Sequence, residues 1–217
     1  MPLPNLTRDR LLRLGTGAFA GAAASVLGVA SERTPVSAEA SQDTIMIVRH
    51  AEKPIGDKAP FGVDSEGQIN AGSLTVRGWV RAGALARAFS QPNDWNVPVP
   101  NAIYASRPGE TTGLRAVETV TPLADFLDLK VNASIRRGDE TALAAALLGG
   151  RGARLVAWEH RSIPDIVAKL GTVVPEPSPK WDASRFDIIW CFTRSSPGVW
   201  HFRSIPQRLL SGDEPRT

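Results

Sequence analysis

The sequence predicts an α/β fold of three layers, in which a mostly parallel sheet is covered by helices on both faces. Short apolar segments typical of buried strands alternate along the chain with longer segments whose apolar residues recur at helical spacing. Such alternation produces βαβ units, which build parallel sheets with helices on both sides. Polar residues follow several of these strands directly, where sheets of this kind place their active sites.

The alternating segments begin at Thr44. The predicted strands, in chain order, are Thr44–Val48, Asn101–Ala105, Arg154–Trp158, Phe186–Phe192 and Val199–Arg203. The predicted helices are Leu74–Phe89, Leu114–Leu127, Thr141–Leu148 and Ile163–Leu170. Pro122 should kink or restart the second helix. The long loops Pro54–Ser73 and Gly171–Ala183 are expected to shape the specificity of any site at the strand ends.

The first 40 residues differ from the rest of the chain. Their start is rich in arginine, their middle, Leu14–Ala30, is uncharged, and small residues precede Ser41. This order resembles a secretory signal, by the Sec or the Tat route. We therefore predict that residues 1–40 direct export to the periplasm or the extracellular space and that residues 41–217 form the catalytic domain. An uncleaved membrane anchor within residues 11–30 and a disordered tail are the alternatives.

The composition excludes several classes of partner. The net charge is only +3 over 217 residues and no five like charges are consecutive, which argues against a nucleic-acid or anionic-lipid surface. No stable membrane partner is expected beyond the N-terminal segment. The single cysteine, Cys191, excludes an internal disulfide, and the three histidines lack the spacing of a metal site, so no metal is predicted. Nothing in the sequence indicates the oligomeric state.

Three predicted strands are followed by residues that suit one task. These residues are Arg49 and His50 after the first strand, Ser106 and Arg115 after the second, and Glu159 and His160 after the third. Arginine binds phosphoryl oxygens with a planar, permanently charged fork, and neutral histidine is a nucleophile near pH 7. Each residue alone is more often structural or solvated, and His201, inside the last strand, is interpreted as structural. Their coincidence at neighbouring strand ends predicts a phosphate site.

Four sequence blocks resemble those of a known family. Val-Arg-His-Ala-Glu-Lys at 48–53 resembles the Arg-His-Gly-Glu signature of the histidine phosphatase superfamily, which also contains the cofactor-dependent phosphoglycerate mutases. Leu-Thr-Val-Arg-Gly at 74–78 resembles the family's helix start. The end of the second strand, with the residues as far as Ala124, resembles the block that carries the family's second arginine. The end of the third strand, with the residues as far as Pro164, resembles the block that carries its second histidine. The blocks follow the family's order between Thr44 and Gly171.

The resemblance implies a phosphoglycerate mutase-like fold and a small phosphatase that hydrolyses a phosphomonoester without a cofactor. It implies that His50 becomes phosphorylated, and that Arg49, Arg115 and His160 hold the phosphoryl oxygens. The family's proton donor is commonly a glutamate about two dozen residues beyond the second arginine, which points to Glu140. The other candidates for that role are Asp139, and Glu159 beside the second histidine. The expected partner is a small phosphorylated substrate.

Two residues depart from the family pattern, and two alternatives to a phosphatase also remain open. Ala51 replaces the usual glycine, and Arg161 follows His160 where the phytase and acid-phosphatase branch has aspartate. The first alternative is a non-catalytic protein of the cell envelope that binds a phosphorylated ligand with the same arginines. The second is a phosphotransferase similar to phosphoglycerate mutase, which would require a phosphorylated donor cofactor.

Overall fold

The computed structural model describes residues 42–109, 113–194 and 198–214. The proposed export segment, residues 1–40, lies outside the described residues. The strands are β1 Asp43–Arg49, β2 Ala102–Ala105, β3 Val131–Asn132, β4 Ala153–Trp158, β5 Thr172–Val174, β6 Ile188–Arg194 and β7 Val199–Pro206. The helices are α1 Val76–Phe89, α2 Arg115–Phe126, α3 Glu140–Gly149 and α4 Ile163–Val167. In these ranges no helix is long and apolar enough to cross a membrane.

All seven strands belong to one sheet, in the order β3-β2-β4-β1-β6-β7-β5. The strand β1 lies at the centre, parallel to β4 and antiparallel to β6. The pairs β2–β4, β2–β3 and β5–β7 are also parallel, whereas β6 and β7 form the predicted antiparallel hairpin. The prediction of a mostly parallel sheet is therefore confirmed.

Side chains of β1 alternate between two cores, because successive residues of a strand point to opposite faces of the sheet. Met46 and Val48 pack in one apolar cluster with the buried residues of α1 and α2. Ile45 and Ile47 pack in the other with residues of α3 and α4. Helices therefore cover both faces of the sheet, and the predicted three-layer architecture is confirmed.

Several element boundaries differ from the prediction. The strands β3 and β5 were not predicted, because two or three residues are too few to show an alternation of apolar and polar side chains. Helix α4 ends at Val167 instead of Leu170. Helix α2 is not interrupted at Pro122, and its buried residues on both sides, among them Val120 and Leu123, hold it against the core.

Helix α1 packs closely on the segment that follows β1. Thr75 caps the helix by accepting a hydrogen bond from the backbone N–H of Gly78 at 3.2 Å, and its own N–H donates to the carbonyl of Glu52 at 2.9 Å. A Cβ atom at Gly78 would lie only 2.5 Å from the Glu52 carbonyl oxygen. The glycine of the Leu-Thr-Val-Arg-Gly block is thus required where helix and loop backbones meet.

The carboxyl ends of β1, β2 and β4 meet at one edge of the sheet. Arg49 is paired with Trp158 in the β1–β4 register, and Ala105 is paired with Ala157 in the β2–β4 register. Residues that follow these strands are consequently neighbours, although His50 and Glu159 are 109 positions apart in the chain. This edge is where the sequence predicts the phosphate site.

Candidate active site

His50 is the first residue beyond β1 and is held by two backbone groups. Its own N–H donates to the carbonyl of Trp158 at 3.0 Å, which ties the ends of β1 and β4 together. Its ring Nδ1 lies 2.8 Å from the carbonyl oxygen of Ala51. A carbonyl can only accept a hydrogen bond, so Nδ1 carries the proton and Nε2 of the neutral ring carries a lone pair.

The surroundings of His50 keep its imidazole neutral. The ring is 6% exposed, and this burial is the main cause that lowers its pKa to about 3. The hydrogen bond to Ala51 raises the pKa, but the positive charges of Arg49 and Arg115, together with His160, lower it further. The structure thus places a neutral histidine among cations, which is the state that a nucleophile needs.

Arg49 is buried next to His50 with its guanidinium group held from one side. Its Nη1 donates to the carbonyl of Ala183 at 2.5 Å, and the group lies 3.7 Å above the ring of Phe186. Burial lowers the Arg49 pKa to about 10, while Glu159 and Glu52 raise it, so the group stays charged at neutral pH. Its buried Nε has no hydrogen-bond partner among the described residues and can donate to a bound anion.

Arg115, the first residue of α2, is also anchored by backbone carbonyls. Its Nε donates to Ser73 at 3.3 Å and its Nη2 to Ala71 at 2.5 Å. Burial lowers its pKa, and Glu118 one helical turn away raises it. Because both carbonyls belong to the loop before α1, the loop orients this arginine toward the strand ends.

Glu159 and His160 follow β4 and form a pair. The Nδ1 atom of His160 lies 2.9 Å from Oε1 of Glu159, and Arg161 donates to the same oxygen at 3.2 Å. Burial and then the charge of Arg49 lower the pKa of His160. Both residues lie beyond the last residue of β4, Trp158, so the alternation of a strand does not separate their side chains.

A cleft of about 750 Å³ opens at this edge of the sheet. Its lining includes His50, Ser106, Arg115 and Glu159, four of the residues singled out at the strand ends. Among the described lining residues, Glu159 has the only carboxylate. The structure thus brings a neutral histidine, an arginine and a carboxylate to one solvent-accessible space, with Arg49 buried beside it.

Glu140, the predicted proton donor, is placed elsewhere. Its Oε1 accepts hydrogen bonds from the ring N–H of Trp158 and the backbone N–H of Gly138, both at 3.0 Å. Burial alone would raise its pKa, but these hydrogen bonds hold it below the ordinary value. Glu140 also lies outside the described lining of the cleft, so its ionised carboxylate does not suit a proton donor there. Asp139 lies outside the described lining as well, and its side chain caps α3 by accepting from the backbone N–H of Ala142.

Thr119 is a site residue that the sequence analysis missed. It is fully buried in α2, where its Oγ1 accepts from the N–H of Ala51 at 2.8 Å and donates to the carbonyl of Arg115 at 2.6 Å. It therefore links the residue that holds the His50 ring to the residue that starts α2. Its position one turn beyond Arg115 is the only sequence signal that could have indicated it.

The two long loops have a different role from the one predicted. None of the described residues that line the cleft belongs to Pro54–Ser73 or Gly171–Ala183. These loops instead supply carbonyls that hold the guanidinium groups of Arg115 and Arg49. Besides His50, Arg115 and Glu159, the cleft is lined by the segments after β2 and β3. These segments contribute Arg107, Arg136 and Arg137.

No protein-family model matches the sequence, and no curated protein matches it in sequence. The fold does match solved structures. The protein histidine phosphatase SixA, solved with tungstate, is 20% identical with a TM-score of 0.50, over 76% of this chain and 97% of that one. A phosphoglycerate mutase from Plasmodium falciparum is 15% identical with a TM-score of 0.50, over 82% and 98%. The chain has the phosphoglycerate mutase-like fold, so the resemblance is confirmed at the level of the fold.

Proposed function

We propose that this protein is a phosphatase that hydrolyses a small phosphomonoester through a phosphohistidine intermediate on His50. One observation carries the proposal: Nδ1 of a neutral, buried His50 donates to the Ala51 carbonyl, which leaves the Nε2 lone pair for attack. The surrounding arginines, Arg49 and Arg115, suit a phosphoryl dianion, and both are oriented by backbone carbonyls before any ligand binds.

The proposed reaction has two displacements. The Nε2 lone pair of His50 attacks phosphorus and the bond to the ester oxygen breaks, while Arg49, Arg115 and His160 stabilise the equatorial oxygens. The leaving oxygen takes a proton, for which we propose Glu159, because it is the carboxylate of the described cleft lining. Water then attacks the phosphohistidine and gives its proton to Glu159. The N–P bond breaks, which regenerates the neutral His50 ring and releases inorganic phosphate.

The test is hydrolysis of p-nitrophenyl phosphate by the purified protein and by a His50→Asn variant. Asparagine can still donate to the Ala51 carbonyl but has no ring nitrogen for attack. We expect turnover to fall by a factor of about 10⁴ or more, since nucleophile and anion-stabilising groups act as a unit. Quenching with alkaline detergent during turnover should trap a base-stable, acid-labile label on the wild type only. Near-normal turnover by the variant would contradict the proposal.

Two alternatives predict different outcomes in activity assays. A non-catalytic phospho-ligand-binding protein of the envelope would bind phosphate but release no p-nitrophenol. A phosphotransferase similar to phosphoglycerate mutase would act on phosphoglycerate only when bisphosphoglycerate is added. Phosphate release without any added donor favours the phosphatase over both.

We expect the reaction to need neither a metal ion nor a cofactor. Arg49 and Arg115 would supply the positive charge that a metal brings to other phosphatases. Turnover should therefore be unchanged in EDTA. Loss of turnover in EDTA, with recovery on addition of a divalent ion, would contradict this expectation.

For residues 1–40, the proposal is export to the periplasm or the extracellular space, with a membrane anchor in residues 11–30 as the alternative. The support is the arginine-rich start, the uncharged Leu14–Ala30 and the small residues after it. Mass spectrometry of the protein from its native cells should find the N-terminus near Ser41. An intact N-terminus in the membrane fraction would indicate the anchor, and one in the soluble cytoplasmic fraction would contradict export.

A further inference from the structure

Three arginines line the cleft in addition to Arg115. Arg107 follows β2, and Arg136 and Arg137 lie in the turn before α3; we call the three the arginine rim. All three are exposed, and none has a side-chain hydrogen bond or ion pair with another described residue. Exposed arginines are common, but here three of them share one cleft with His50 and Arg115.

One bound phosphoryl group would not neutralise the positive charge of the cleft. A phosphoryl dianion carries two negative charges, and Arg49 and Arg115 carry two positive charges. The arginine rim adds three positive charges, against the single described carboxylate of Glu159. Like charges that converge in one concave space repel one another and attract anions. A surplus of this size remains unless a second anionic group of the ligand occupies the rim.

The backbone holds the arginine rim in place. The N–H of Arg107 donates to the carbonyl of Ile135 at 2.7 Å, which joins the two segments that carry the rim. The N–H of Gly138 donates to the buried carboxylate of Glu140, and that carboxylate also accepts from Trp158 at the end of β4. Glu140 therefore anchors the turn that presents Arg136 and Arg137, which gives this buried acid a positioning role.

The lining also restricts the remainder of the ligand. The cleft volume of about 750 Å³ is that of a small-molecule site. No described residue of the lining is phenylalanine, tyrosine or tryptophan, so the described wall lacks the large aromatic side chains on which nucleobases commonly stack. This lining favours an aliphatic or sugar-like skeleton over a nucleotide.

We propose that the substrate is a small, non-aromatic phosphomonoester with a second anionic group, a phosphate or a carboxylate, that binds to Arg107, Arg136 and Arg137. This inference rests on the proposed phosphatase function and adds the substrate class. The scissile phosphoryl group would bind at His50, while the second anion would bind at the rim. The second group would therefore fix which of two phosphates is cleaved.

The experiment compares matched substrates that differ in one anionic group. In the carboxylate arm, 3-phosphoglycerate is compared with glycerol 3-phosphate; in the phosphate arm, fructose 1,6-bisphosphate is compared with fructose 6-phosphate. We expect kcat/KM to be at least about tenfold higher for the doubly anionic member of one pair, since a charge-assisted hydrogen bond gives roughly that factor. The preferred arm identifies the second group, and the preference should shrink as salt is added.

The variant Arg136→Gln/Arg137→Gln, and separately Arg107→Gln, should bring that ratio toward one. The control is Arg87→Gln, which removes an exposed arginine from the last turn of α1 and should keep the wild-type ratio. A wild type that hydrolyses p-nitrophenyl phosphate but shows ratios near one would overturn this inference alone. No hydrolysis of any ester would instead overturn the proposed function. Preference for adenosine monophosphate or an acidic phosphopeptide over both doubly anionic probes would overturn the substrate class.

Discussion

The Nδ1 atom of His50 lies 2.8 Å from the carbonyl oxygen of Ala51, the next residue in the chain. This contact selects one tautomer of a neutral ring, and it depends on the orientation of the Ala51 carbonyl. The backbone of the same residue is held by Thr119, which accepts the Ala51 N–H. The reactive state of His50 thus depends on a threonine 69 positions later in the chain.

Thr119→Val should lower kcat more than it changes KM. Valine has nearly the same shape but accepts no hydrogen bond, so the Ala51 backbone loses its anchor, and its carbonyl no longer fixes the orientation of the His50 ring. We expect kcat to fall about tenfold and the free energy of unfolding to fall by about 1–3 kcal/mol, the cost of an unpaired buried N–H. Thr119→Ser keeps the hydroxyl and should restore kcat. Failure of serine to rescue turnover would show that Thr119 acts by packing alone.

Acid should destabilise the wild type more than a His50→Asn variant. The folded state holds the His50 pKa near 3, against about 6.5 in the unfolded chain, so below pH 6.5 the unfolded state takes up a proton that the folded state does not. This contribution to stability is present above pH 6.5 and is lost as the pH falls toward 3. Between pH 7 and 4.5 the wild type should lose about 2 kcal/mol more than the variant.

Urea unfolding at both pH values measures this difference. Leu123→Ala is the control, because it removes buried apolar volume from α2 without changing a titrating group. It should be less stable than the wild type at both pH values but lose as much stability as the wild type between them. Equal losses in His50→Asn and the wild type would mean that the ring titrates normally when buried.

Glu159→Gln and Glu140→Gln should differ in their leaving-group dependence. If Glu159 protonates the leaving oxygen, Glu159→Gln should reduce the hydrolysis of an alkyl phosphate strongly. Hydrolysis of p-nitrophenyl phosphate should fall at least about tenfold less, because its leaving group needs little protonation. Glu140→Gln removes a charge but keeps an acceptor for Gly138 and Trp158, so it should affect both esters alike. A selective alkyl-phosphate loss in Glu140→Gln would return the donor role to that residue.

Arg81 and Arg77 bind the same two carboxylates but should contribute differently to stability. The guanidinium of Arg81 is 2% exposed and lies 2.8 Å from Glu52 and 2.6 Å from Asp213. Burial lowers its pKa, but these two partners raise the pKa above the ordinary value overall. Arg77 is 48% exposed and lies 3.2 and 3.8 Å from the same groups. Only Arg81 is thus fully withdrawn from water.

Arg81→Met should therefore lower the free energy of unfolding by about 3–5 kcal/mol, because it leaves buried carboxylates without their counter-ion. Arg77→Met, the matched control, should cost less than about 1 kcal/mol, as exposed ion pairs usually do. Denaturant unfolding of both variants at neutral pH makes the comparison. Similar losses would show that water reaches the Glu52–Asp213 pair.

The sequence alone determined the layers of the fold and the place of the site. Apolar runs and helical spacing depend on neighbouring residues, and the rules for βαβ connections then place His50 and His160 at one edge of a parallel sheet. The same information predicted that Arg49 and Arg115 would lie near them. Two strands of two and three residues, β3 and β5, carried too little pattern to be predicted.

Only the tertiary structure decided which acid shares the cleft with His50 and which residues support it. Glu140 and Glu159 are equivalent as residue types, but one is bound by Trp158 and the other opens to the cleft. The contact of Thr119 with Ala51 joins distant segments through side-chain reach. The convergence of Arg107 with Arg136 likewise depends on how two loops turn beyond their strands. These contacts join segments that are far apart in the chain. The spacing of apolar and polar residues within one segment therefore does not reveal them.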